Sequence, residues 1–188
     1  MRKIHLAVAS LSLAAALLGS GSAAAEETKS QHGGGYVAGN VLGFSIISVP
    51  GVATPFGTIG GGAAGAYHMD FEGGYHFSGT HDGFMAGLRQ GFNFGSGSSG
   101  ATQAKFGYSL VFPISGGPSE IIVTPYTVLG AAYGFSGGDP SFAFGFGAEV
   151  RYFINESGLF VGGHPLELGG WVPGGFTYTF GLGAGYAF

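Results

Sequence analysis

From Tyr67 to Ser78 the chain alternates between two kinds of residue. Tyr67, Met69, Phe71, Gly73, Tyr75 and Phe77 form one set, and His68, Asp70, Glu72, Gly74, His76 and Ser78 the other. Successive side chains of a strand point to opposite faces, whereas a helix repeats about every 3.6 residues. The split therefore predicts a strand with one apolar and one polar face. The next run keeps the rule: Phe84, Ala86, Leu88, Phe92 and Phe94 share a face, with Gln90 the misfit, and Arg89, Gly91 and Asn93 take the other. Between them Gly79-Thr80-His81-Asp82 reads as a tight turn. Counting back from Ser78 opposite Gly83 sets Glu72 opposite Arg89. Opposite charges on one face support that register and predict a Glu72–Arg89 pair.

Three more segments alternate in the same way. Ala104, Phe106, Tyr108, Leu110 and Phe112 interleave with Lys105, Gly107 and Ser109; Phe142, Phe144, Phe146, Ala148, Val150 and Tyr152 interleave with Gly145, Gly147, Glu149 and Arg151. Phe176, Tyr178, Phe180, Leu182, Ala184, Tyr186 and Phe188 interleave with Thr177, Thr179, Gly181, Gly183 and Gly185. Segments 35–48 and 120–134 are strand-like without an assignable face, and in 159–168 Pro165 interrupts the ladder. Lipid outside and a polar or small interior is the alternation of a membrane barrel. The expected fold is all-β: a transmembrane antiparallel up-and-down β-barrel of about eight strands over residues 36–188. With both ends periplasmic, 49–61, 95–102, 135–140 and 169–174 become outer loops, and 79–82, 113–119 and 154–157 inner turns.

The N-terminus changes the picture only as an address. Arg2 and Lys3 precede an apolar run from Ile4 to Leu18, then small residues ending Ala23-Ala24-Ala25 before Glu26. This is the layout of a cleaved secretory signal over residues 1–25, and the run is shorter than the roughly 20 residues of a spanning helix. Residues 26–35 read as a flexible periplasmic lead-in. Composition agrees with export to a membrane: 41 glycines and 15% aromatics accompany only 9% charged residues. Cysteine is absent, which excludes disulfides, thiolate metal sites, a thiol nucleophile and a cysteine-linked lipid anchor. The net charge of −4 argues against nucleic acid as a partner.

The residues Gly181-Leu182-Gly183-Ala184-Gly185-Tyr186-Ala187-Phe188 resemble the terminal strand of bacterial outer-membrane proteins. That resemblance implies insertion into the outer membrane by the barrel-assembly machinery, with Phe180, Leu182, Tyr186 and Phe188 as the signal it reads. The whole resembles the small OmpA/OmpX-like superfamily of eight-stranded barrels, through pattern, length and strand count. It implies a monomer among outer-membrane lipid and lipopolysaccharide. A peptidoglycan-binding domain after the barrel is not expected.

The inward set His68, Asp70, Glu72, His76, Arg89, Lys105, Glu149 and Arg151 is expected to form an ion-pair network in the lumen, because unpaired charges in a narrow barrel are costly. The competing reading is a selectivity lining or a proton-sensitive gate using His68 and His76. His68-x-Asp70 would need a nucleophile or activated water beside it, and no serine is clearly adjacent, so no catalytic residue is assigned. His81-Asp82 reads as solvated turn chemistry. His164 beside Pro165 lacks locatable partners, so neither metal nor cofactor is assigned. Gly60-x-Gly62-x-x-Gly65 lacks the strand and helix of a dinucleotide site, and Asn155-Glu156-Ser157-Gly158 reads as a hairpin turn. Trp171 and Tyr178 are expected in an interfacial aromatic girdle. The expected function is a non-enzymatic outer-membrane barrel with a structural or small-solute permeability role; the alternative is lipid or ligand handling, including modification of lipid A.

Overall fold

Alternating segments build strands, and closing them on one another removes the edges of the sheet. The structure, a computed structural model, describes residue 30 and residues 32–188 apart from 55, 56, 60, 96, 97, 116, 138 and 173. The expected signal segment, 1–25, lies outside the described residues, as do 26–29 and 31 of the expected lead-in. Ten strands follow: β1 Gly33–Val49, β2 Val52–Thr54, β3 Gly57–Ile59, β4 Gly62–Thr80, β5 Gly83–Phe94, β6 Ser99–Pro113, β7 Glu120–Gly134, β8 Ser141–Phe153, β9 Leu159–Val172 and β10 Gly175–Ala187. Eight of them close into a barrel in the order β1-β10-β9-β8-β7-β6-β5-β4, every neighbour antiparallel. The short β2–β3 hairpin, which the sequence pattern did not disclose, folds inside the first long loop.

The strands overrun the expected limits. β1 begins at Gly33, inside the segment expected to be a flexible lead-in, and Ser30 and His32 are buried. β6 starts at Ser99 and β9 runs to Val172, so two expected outer loops shrink to 95–98 and 173–174. The outward face carries Leu42, Phe44, Phe71, Tyr75, Phe77, Phe84, Leu88, Phe106, Phe146, Phe176 and Leu182, all exposed. Such a continuous apolar surface is stable only against lipid. Gln90, the misfit on this face, is paired in place: it donates to Tyr133 Oη at 2.9 Å and accepts from Thr102 Oγ1 at 2.5 Å.

Of the segments whose faces alternation does not assign, β1 and β9 each contain a bulge. In β1 the register against β10 slips between Asn40 and Leu42, so Val41 and Leu42 both point outward while Tyr36, Asn40 and Ser45 point in. In β9 the slip falls at Pro165, which has no N–H for the ladder. Pro165 therefore does not end the strand. It shifts the parity so that His164 and Glu167, three apart, both face the lumen. β7 is apolar on both faces, with Ile122, Tyr126 and Val128 inward and Ile121, Val123 and Leu129 outward. The 154–158 turn places Asn155 at φ 55° and Gly158 at φ 73°, a left-handed conformation that asparagine and glycine tolerate best.

Candidate functional site

The barrel interior is the candidate site, and its two ends differ. At the end holding Ser30, Phe188 and the turns that follow β4, β6 and β8, Tyr36, Met85, Ile122, Phe153, Phe160 and Ala187 form an apolar plug. His32 stacks on Phe153 at 4.1 Å between centroids, and Ser30 donates a hydrogen bond to Glu120. The terminal strand is sealed onto this end, with Phe188 N–H donating to Gly35 O at 2.8 Å and Gly35 N–H to Phe188 O at 3.0 Å. Phe180, Leu182, Tyr186 and Phe188 lie on its outward side.

Above the plug sits a four-charge cluster contributed by three strands. Lys105 Nζ lies 2.6 Å from Glu72 Oε2 and 2.7 Å from Glu149 Oε2; Arg151 Nε lies 2.7 Å from Glu149 Oε1, and its Nη2 3.0 Å from Glu72 Oε1. The Arg151 guanidinium lies 3.8 Å over the Tyr36 ring, and Lys105 Nζ 4.4 Å over Tyr126. Exposures of 1–3% for the Lys105, Glu149 and Arg151 side chains show that no water-wide path runs between them. Two acids balance two bases, which is what a dry site requires.

The expected register is present, with Glu72 opposite Arg89, but the expected Glu72–Arg89 pair is not. Arg89 instead forks onto Glu167, with Nη2 2.7 Å from Oε1 and Nη1 on Oε2, while Nη2 also donates to Gln103 Oε1 at 2.9 Å. Tyr126 Oη donates to Glu167 Oε2 at 2.6 Å. In a ring of eight strands β5 and β9 are diametrically opposed, as are β4 and β8. The lumen of a small barrel is narrow enough for long side chains to bridge it. Cross-strand neighbours therefore compete with partners on the far wall, and here the far wall wins.

His68 and Asp70 are drawn together with a third residue. His68 Nε2 lies 3.1 Å and His164 Nε2 3.7 Å from Asp70 Oδ2. Asn40 Nδ2 donates to Asp70 Oδ1 at 2.9 Å, and His68 Nδ1 lies 2.9 Å from Asn93 Oδ1. His164 thus stands beside His68 and Asp70, neighbours that its sequence position did not reveal, although its Nε2 makes no hydrogen bond. His76 is inward but stands apart from the ion pairs: Nε2 is 2.9 Å from Ser109 Oγ and Nδ1 3.1 Å from Gly34 O.

His81 is not a solvated turn residue. It folds into the barrel mouth, fully buried, where Arg151 donates to its Nε2 and its Nδ1 lies 3.3 Å from Gly33 O. Burial, then Arg151 and His76, hold this imidazole well below its ordinary value of 6.5. Burial also lowers His32, against the pull of Glu120. When the folded-state affinity of a base is depressed, only the unfolded chain takes up the proton, so stability falls as pH drops below the unfolded value. His81 is expected to cost the barrel about 1.4 kcal/mol per pH unit below roughly pH 6.5. His81→Gln should flatten the acid limb by about that slope in urea titrations between roughly pH 7.5 and 5. An unchanged slope would show that His81 is protonated in the folded barrel.

Toward the loop end the lumen opens. A cavity of about 570 Å³ has His68, Arg89, Gln103 and Glu167 among its lining, together with glycines, alanines, Ser99, Thr177 and Thr179. Trp171 and Asp139 line it near the mouth. Trp171, expected in the outer girdle, thus borders the cavity, whereas Tyr178 is exposed on the outward face. The barrel is a cup: sealed below, open above.

No protein-family model matches the chain, and no curated protein matches it in sequence. Among solved structures, Neisserial surface protein A is similar at 12% identity over 86% of this chain and 100% of that one, with a TM-score of 0.52. Ail, the attachment invasion locus protein of Yersinia pestis, is 15% identical over 84% of this chain and 99% of that one, with a TM-score of 0.42. The N-terminal β-barrel domain of Pseudomonas aeruginosa OprF is 16% identical over 83% and 99%, with a TM-score of 0.42. The likeness to Neisserial surface protein A is one of fold alone.

Proposed function

We propose that the chain is an integral outer-membrane β-barrel that neither conducts solutes nor catalyses a reaction, and that presents its cup to the outside. The observation carrying this reading is the sealed lower lumen, where Glu72, Lys105, Glu149 and Arg151 are buried above an apolar plug. Ions crossing it would have to break paired charges in a dry interior, a cost of several kcal/mol. Against catalysis, the one hydrogen bond between a serine hydroxyl and an imidazole among the described residues, Ser109 Oγ with His76 Nε2, is buried inside the barrel and is absent from the cavity lining. A reacting group needs substrate access. In this reading the barrel is a monomer held by lipid and lipopolysaccharide. The assembly machinery recognises its terminal strand through Phe180, Leu182, Tyr186 and Phe188, and residues 1–25 direct export.

The purified chain in detergent should run as a compact band that shifts on heating, and should give no discrete steps in planar bilayers. Reproducible unitary conductance would overturn the sealed-lumen reading in favour of permeability. Ligand handling in the loop-side cavity is the second reading, favoured by its volume of about 570 Å³ and by its polar floor.

A further inference from the structure

We infer that His68, Asp70 and His164, beside the floor of the cup, form a binding site for one divalent first-row transition ion. Their ligating atoms lie within 4.8 Å of one another, and all three residues are buried. Two imidazoles and one carboxylate suit a borderline ion such as Zn²⁺, Co²⁺ or Ni²⁺. Bonds of about 2.0–2.1 Å to a tetrahedral ion put ligand atoms roughly 3.3 Å apart. The separations of 3.1 and 3.7 Å from Asp70 Oδ2 bracket that spacing.

A second observation points to a ligand: His164 Nε2 is buried without a hydrogen-bond partner, and it is aimed at Asp70 Oδ2. Buried polar atoms are seldom left so. His68 tells the same story. Its Nδ1 faces Asn93 Oδ1 and its Nε2 faces Asp70 Oδ2, both acceptors, while a neutral imidazole has only one N–H. If Nδ1 holds the proton, Nε2 is left as a lone pair beside a carboxylate, and a cation between them resolves the conflict. The outer contacts are those of a metal site: Asn93 fixes the tautomer of His68, and Asn40 orients Asp70 through its other oxygen. Gly181 leaves room for the third ligand, because a Cβ there would come within 2.7 Å of His164 Nε2. His68 also lines the cup, so an ion has an entry path and a side open to water.

The test uses the folded full chain in detergent, stripped with a chelator and titrated with Co²⁺ and then Zn²⁺. One Co²⁺ per chain is expected, with the visible absorption of a low-coordinate site, displaced by Zn²⁺. Zn²⁺ should also raise the urea midpoint of the wild type. Asn40→Ala, which keeps all three ligands, should weaken binding about 10–100-fold, and His164→Gln should weaken it further. His76→Gln and His81→Gln should bind as the wild type does, with heat-shifted mobility certifying each fold. Failure of the folded wild type to bind one Co²⁺, or equal binding by His164→Gln and Asp70→Asn, would overturn the site and leave His68 and Asp70 as a hydrogen-bonded pair only. Bilayer conductance is independent of this outcome, so the site and the sealed-lumen reading can fail separately.

Discussion

Glu149→Ala should lower the unfolding free energy of the barrel by about 3–5 kcal/mol, the loss expected when one member of a buried charge cluster is removed. Glu149 is the hub of its cluster. It accepts from Lys105 Nζ, Arg151 Nε and Arg151 Nη2, each at 2.7 Å. Without it, two cations would share Glu72 alone in a site with 1–2% exposure. Lys105 could lose its proton, but Arg151 could not, so part of the cost cannot be escaped. Glu149→Gln keeps the volume and isolates the charge; it should recover little. Replacing all four members with apolar residues of matched volume should be close to neutral, because the desolvation penalty disappears along with the attraction. Glu156→Ala, at an exposed position of the 154–158 turn, is the control, expected within about 0.5 kcal/mol. Urea titrations in micelles, read by the heat-shifted band, would measure all four. A loss below about 1 kcal/mol for Glu149→Ala would mean that water reaches the cluster, and the sealed-lumen reading would go with it.

What the sequence disclosed, and what it hid, follows from which interactions have a period. Alternation places Tyr67–Ser78, Ala104–Phe112, Phe142–Tyr152 and Phe176–Phe188 on strands with the correct faces, because lipid and lumen impose opposite demands on successive residues. It also puts Glu72 opposite Arg89, since a tight turn fixes register by counting. The period fails where the backbone slips. Glu167 and His164 look out of phase until the bulge at Pro165 is granted, and a proline inside an otherwise apolar strand was the available signal. The same slip at Val41 hid the inward Asn40 and Ser45. β7 reads as strand-like but shows no face, because Ile122 and Val128 fill the interior with side chains as apolar as those facing out. His81 departs from the expected solvated turn because nothing local reveals that Arg151, 70 residues away, closes over a position that is usually wet.

Arg89→Met should destabilise the barrel by about 3–5 kcal/mol as well, and the identity of its true partner makes the prediction sharp. The sequence register names Glu72; the structure names Glu167. Glu72 spends both carboxylate oxygens on Lys105 and Arg151, at 2.6 and 3.0 Å, whereas Glu167 meets Arg89 in a two-pronged contact and takes a further bond from Tyr126. Planar fork-to-fork geometry is specific to arginine and carboxylate, so Arg89→Lys should retain only part of the stability. The decisive comparison is a pair of charge reversals. Arg89→Glu with Glu167→Arg should recover much of what each single change loses, a coupling of roughly 1–3 kcal/mol. Arg89→Glu with Glu72→Arg should recover nothing, because it reverses residues that share a register but not a bond. Recovery by the second double variant and not the first would show that neighbouring strands, not opposite walls, organise the lumen. In that case the floor of the cup, where Arg89 and Glu167 meet beneath about 570 Å³ of open space, would lose the bridge that ties β5 to β9.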